Sequence, residues 1–160
     1  MGVILAFGIL AVGLFAASFI TKRRFGLLGL ALGSGYILSS IWSNSASLVV
    51  GLAGLPYNAV TAAMILVFIT LLPAVILLFH GYSYKSLVLR IIGAGLFTVL
   101  ALAFLAEPLG RILNLQGSNL QIYDWILKNK DVIIGIGLPM AVVDMFLTKP
   151  AALSEKKSKH

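Results

Sequence analysis

The chain contains no cysteine, and among its 160 residues only five are acidic and two are histidine. Without cysteine there is no disulfide framework, no thiolate metal site and no cysteine nucleophile. The acids are Glu107, Asp124, Asp131, Asp144 and Glu155, and they form no recognisable carboxylate pair. No HExxH, phosphate-cradling glycine loop or G-x-S-x-G elbow is present. His80, beside Gly81 and Tyr82, has no partner at catalytic spacing and reads as a polar group at a helix end. No catalytic residue, metal ligand or cofactor site is therefore expected.

Charge of either sign is scarce: 11% of residues are charged against 60% hydrophobic, where soluble domains carry about 25% charge. A soluble fold cannot hide that much apolar surface. The net charge of +7 would suggest nucleic acid in a soluble domain, but here the cations sit beside apolar runs. That arrangement favours lipid headgroups, so a lipid bilayer is the expected partner and nucleic acid is not.

Crossing a hydrocarbon core of about 30 Å takes about 20 apolar residues in a helix, because lipid cannot satisfy an open backbone. Four stretches meet that length: 2–20, 25–44, 59–79 and 87–106. A fifth, 132–147, is shorter and carries Pro139 and Asp144. Between the fourth and fifth, Leu120, Tyr123, Ile126 and Leu127 recur at helical spacing, which predicts a short amphipathic helix over 119–129 with Tyr123 and Trp125 in an interfacial belt. The expected fold is all-α: one polytopic membrane bundle over 1–148 and a basic tail over 149–160. Cations after the first apolar run, and not before it, make that run a retained span in preference to a cleaved leader.

Positive charge in short loops marks the cytoplasmic side. With five spans, Lys22, Arg23, Arg24, Lys85, Arg90, Lys149, Lys156, Lys157 and Lys159 share one side, and Arg111, Lys128 and Lys130 the other. The amino terminus is then outside and the carboxyl terminus cytoplasmic.

Small residues mark where helices approach closely in lipid. Gly26, Gly29 and Gly33 in the second span and Gly93 and Gly95 in the fourth are the packing candidates, within one chain or, through self-association, between copies. Pro73 predicts a kink near the Ile69 carbonyl, with Thr70 placed to help satisfy the opened backbone. The uncharged connection "SNSASLVVGLAGLPYN" reads as a loop lying on the bundle or a half-inserted segment. Asp144, an acid inside a span, is a functional candidate, although near the helix end it can turn toward water or Lys149. Glu107, before Pro108, has Arg111 one turn on and suits a helix-end role. "RRFGLLGL" and "LRIIGAGL" echo each other, with Arg24/Arg90 and Gly29/Gly95 in register, as in a parallel repeat.

The basic first loop running into "RRFGLLGLALGSGYIL", the uncharged connection and "LVLRIIGAGLFTVLALAFL" resemble the colicin V production protein family over about residues 2–106. The resemblance implies a small inner-membrane protein linked to export or envelope maintenance, with no catalytic site to carry over; residues 114–160 depart from it. The expected role is non-enzymatic, a scaffold or accessory factor alongside other envelope membrane proteins. A small channel or transporter is the alternative and a membrane enzyme a more distant one. Replacing Lys22, Arg23 and Arg24 together with neutral residues is expected to weaken the orientation of the first hairpin, as read by fused topology reporters. Unchanged reporter signals would assign orientation to the later cations.

Overall fold

The computed structural model describes residues 2–52, 54, 56–80, 83–84, 86–112 and 121–147. These form six α-helices: α1 (Gly2–Thr21), α2 (Phe25–Trp42), α3 (Ala46–Leu52), α4 (Ala59–Phe79), α5 (Leu87–Ile112) and α6 (Gln121–Phe146), with a single 3-10 turn over Ser43–Ser45. Among the described residues there is no strand, only an isolated antiparallel bridge between Arg23 and Ser83.

Three helices, Phe25–Trp42, Ala59–Phe79 and Leu87–Ile112, are long and apolar enough to cross a membrane. The described apolar part of α1, Phe7–Thr21, is shorter, and α6 carries Asp124, Lys128, Lys130, Asp131 and Asp144. The outward surface agrees with a lipid setting. Val12, Ile37 and Phe68 are each more than 60% exposed on three different helices, an arrangement that is costly in water and natural in hydrocarbon.

α5 is the central element and packs against α1, α2, α4 and α6. One apolar cluster joins Phe7 to Leu102, Leu105, Leu109 and Ile126. The other joins Leu28 and Leu32 of α2 to Ala74, Phe97, Leu100 and Ala141. α1, α4 and α6 run in one sense and α2 and α5 in the other, so three helix C-termini and two N-termini meet at one end of the bundle.

Three expectations are corrected. The amphipathic helix over 119–129 does not stop before the fifth apolar run. The sequence "KNKDV" contains no breaker, and α6 continues through it for 26 residues, about 39 Å of helix. Tyr123 is not in an interfacial belt: it is 4% exposed, donates to the Ala106 carbonyl at 3.1 Å and meets Phe7 edge to face. The fourth span does not end at residue 106, because α5 carries Pro108 inside the helix and reaches Ile112. The uncharged connection contains α3, which packs against α4 and buries Val50.

The small residues of α2 set its distance to two neighbours. A side chain on Gly26 would collide with the Ala141 carbonyl, and a Cβ on Gly33 would lie 2.9 Å from Leu138 of α6. A Cβ on Gly29 would lie 3.0 Å from that of Ala141, and one on Gly35 would collide with the Thr70 carbonyl of α4. Gly93 faces the Tyr84 ring, whereas Gly95 has nothing within 4 Å. Gly35→Ala is therefore expected to destabilise the bundle by about 1–3 kcal/mol, the usual cost of overpacking. Gly95→Ala should be neutral or stabilising by up to about 1 kcal/mol, through helix propensity alone. Thermal unfolding in detergent measures both; equal behaviour of the two variants would contradict the α2–α4 contact.

Candidate functional site

Two polar regions lie at opposite ends of the bundle. The first begins with an electrostatic deficit. A helix leaves its last carbonyls and first N–H groups without intrahelical partners and carries partial charge at each end. None of α1, α4 and α6 has a basic residue in its last turn. α2 has neither an acid in its first turn nor a side-chain cap from Arg24. Other elements supply what each end lacks.

Arg23 reaches α4, its Nε donating to the Leu78 carbonyl at 2.9 Å and Nη2 to that of Phe79 at 2.7 Å. Arg24 Nη1 donates to the Asp144 carbonyl of α6 at 3.3 Å, and its guanidinium lies 5.3 Å from the Tyr84 ring centroid. Arg90 serves α1: Nη2 donates to the Phe19 carbonyl at 2.9 Å, with the guanidinium 4.5 Å from the centre of the Phe19 ring. The Gly26 N–H at the start of α2 donates to Asp144 Oδ2 at 2.8 Å. Tyr84 joins the two sets, its hydroxyl accepting from the Phe25 N–H and donating to Asp144 Oδ2, both at 3.1 Å. Burial is the main influence on that phenol, opposed by the Phe25 hydrogen bond and reinforced by Asp144, and its pKa is pushed up to about 12.

The two loops at this end are also joined through their backbones, the Tyr84 N–H donating to the Lys22 carbonyl at 2.8 Å. Lys22 closes α1 with φ 58°, a left-handed position more often held by glycine.

Asp144 therefore departs from the expected turn toward water: its carboxylate is held at the start of α2. Lys85 and Lys149 lie outside the described residues. Arg23, Arg24 and Arg90, read from the sequence as topology signals, are also structural ligands of three helix ends. Tyr84 was not singled out by sequence reasoning; a buried tyrosine in a short loop between apolar runs is the only signal it gives. His80 stands exposed at the end of α4 in extended backbone.

At the opposite end, α2, α4, α5 and α6 enclose a polar cleft of about 270 Å³. Its rim carries Glu107 and Arg111 from α5 and Lys130 and Asp131 from α6. Glu107 is paired with Lys130 across the two helices, and not with Arg111 as its spacing suggested. That hydrogen bond is the main reason the Lys130 ammonium pKa is raised. The hydroxyl side chains lining the cleft are those of Tyr36, Ser39, Ser40, Ser43 and Thr70. Thr70 lies eleven residues into α4, about 16 Å along the helix axis, so the polar surface reaches roughly half the length of α4. A third feature, an apolar groove of about 550 Å³ between α5 and α6, has Tyr84 and Asp144 among its lining residues.

Among the described residues no three His, Cys, Asp or Glu side chains are grouped to hold a metal ion. Comparison with protein-family models, curated proteins and solved structures finds no match. Fold and composition together define an all-helical protein with three apolar helices suited to a membrane.

Removing the Tyr84 hydroxyl strips an acceptor from the Phe25 N–H and a donor from Asp144. Tyr84→Phe is expected to lower stability by about 1–3 kcal/mol. The raised Tyr84 pKa also gives a signed pH dependence. The folded state keeps the phenol proton between pH 10 and about 12, where the unfolded chain releases it, so this contribution is complete below pH 10 and falls as pH rises through that window. Unfolding temperatures of wild type and Tyr84→Phe measured from pH 9 to 11.5 should converge; parallel curves would contradict the assignment.

Proposed function

We propose that the chain is a five-span integral membrane protein acting without catalysis, as a scaffold or accessory factor in envelope homeostasis or export. The observation that carries this reading is the helix-end network. It links α1, α2, α4, α5 and α6 through Arg23, Arg24, Arg90 and Asp144, with the loop before α5 included through Tyr84. A bundle clamped in this way suits a fixed surface in the membrane that other proteins can use. The fifth and first spans are supported by α6 and α1 running alongside the three apolar helices, with α1 about 30 Å long. The resemblance to the colicin V production family supplies the envelope and export part of the proposal.

In the proposed topology the Arg23–Arg24–Arg90 end faces the cytoplasm, the amino terminus is outside and the lysine-bearing carboxyl terminus inside. Clustered cations in the short loops support this orientation.

A small channel or transporter, as a monomer or oligomer, is the second reading. The observation favouring it is the polar cleft, because ionisable and hydroxyl groups within membrane helices commonly line solute or ion paths.

Affinity capture in mild detergent, against an unrelated polytopic control, should recover envelope membrane proteins specifically with this chain. Solute flux through purified protein in liposomes, with no specific partner captured, would replace the first reading by the second. For orientation, Asn58→Cys should react with an impermeant thiol reagent in intact cells and Ser83→Cys only after permeabilisation. The absence of native cysteine removes background, and the reverse pattern would invert the topology.

A further inference from the structure

Of the five side chains with a hydroxyl that line the polar cleft, Tyr36 and Ser40 aside, three share one property. Thr70 Oγ1 donates to the Leu66 carbonyl at 2.8 Å, Ser39 Oγ to that of Tyr36 at 3.0 Å and Ser43 Oγ to that of Ser40 at 2.8 Å. A hydroxyl has one proton and two lone pairs. With the proton committed to its own helix, each of these oxygens presents only acceptor capacity. Pro108 adds to this character, because it has no N–H to offer the Phe104 carbonyl one turn before it, and both residues line the cleft.

The rim holds two carboxylates, Glu107 and Asp131, and two cations, Arg111 and Lys130. The Lys130 ammonium occupies Glu107. One alkylammonium, tethered to α6, thus already sits at the mouth of an acceptor-lined space.

We propose that this cleft is a binding site for a small primary alkylammonium, with Lys130 as its built-in competitor. An ammonium supplies three donors and accepts none, which matches the acceptor oxygens of Thr70, Ser39 and Ser43. A short alkyl body matches the apolar walls provided by Leu66, Phe104 and Ile134. The volume of about 270 Å³ equals that of about nine waters at roughly 30 Å³ each, enough for a ligand of that many heavy atoms. A quaternary ammonium of similar size carries the charge but has no N–H, and it leaves the hydroxyl oxygens unpaired. The inference goes beyond both functional readings, since binding is measured without flux and without a protein partner.

Removing the Lys130 charge changes the formal charge of the rim from zero to −1 and releases Glu107 for an external ligand. The test titrates butylammonium chloride and tetramethylammonium chloride, at matched ionic strength, into the purified full chain in detergent and follows the unfolding temperature. Lys130→Met should bind butylammonium at least tenfold more tightly than wild type, with little or no shift from tetramethylammonium. In the Lys130→Met background, Thr70→Val, which keeps the shape and removes the oxygen, should weaken butylammonium binding about tenfold, and Glu107→Gln should do so at least as much. Equal shifts from the two ammonium salts would overturn the proposal by reducing the effect to general electrostatics. Absence of a butylammonium shift in folded Lys130→Met would also overturn it. If Lys130→Met does not fold, wild type at roughly ten times the amine concentration decides, by the same comparison of salts and with the same Thr70→Val and Glu107→Gln substitutions made in wild type.

Discussion

The structure depends on the neutralisation of helix ends by charges belonging to other elements. Three C-termini and two N-termini gather at one end of the bundle, and each leaves backbone groups without intrahelical partners. α1, α4 and α6 have no basic residue in their own last turns, so Arg90, Arg23 and Arg24 supply the donors. Charge-assisted hydrogen bonds strengthen where water is scarce. Every such bond here is therefore also a link between elements distant in sequence. The tricationic loop divides its work: Lys22 makes the left-handed turn, while Arg23 and Arg24 serve two different helices.

With its first turn held by Asp144, α2 lies close to α6, and glycine is what permits that separation. Gly26, Gly29 and Gly33 face α6, and Gly35 faces the α4 backbone at Thr70. Beyond this stretch α2 presents Tyr36, Ser39 and Ser43 to the cleft. Close backbone approach at one end and a polar space at the other thus belong to the same helix. Without an apolar driving force between helices in lipid, this packing relies on small-residue contact, which makes individual glycines unequal. Gly95 has no neighbour to meet, so the echo between "RRFGLLGL" and "LRIIGAGL" holds for Arg24 and Arg90, both of which serve another helix's C-terminus, but not for their glycines.

The prolines act locally on this frame. Pro108 lies inside α5 without ending it, on a helix buried against four others, and has no N–H to offer the carbonyl one turn before it. Thr70 bonds to the Leu66 carbonyl one turn before it, so its proton is spent within α4 and does not serve the carbonyl opposite Pro73. Hydroxyls that bond back to their own helix in this way also set the hydrogen-bonding sense of the space they line.

By itself the sequence determined the class: an all-helical protein with apolar helices suited to a membrane, through its long apolar runs, its scarcity of acids and the placement of its cations. Those properties are local or additive along the chain, so composition and run length suffice to read them. The glycine candidates on α2 were legible for the same reason, since helical spacing places them on related faces. Only the tertiary structure decided that Asp144 caps α2, that Glu107 pairs with Lys130 in preference to Arg111, and that Tyr123 is buried. These outcomes depend on which helix ends and faces meet across 23 to 118 residues of chain, and hydrogen-bond partners at that separation leave no periodic trace in a single sequence.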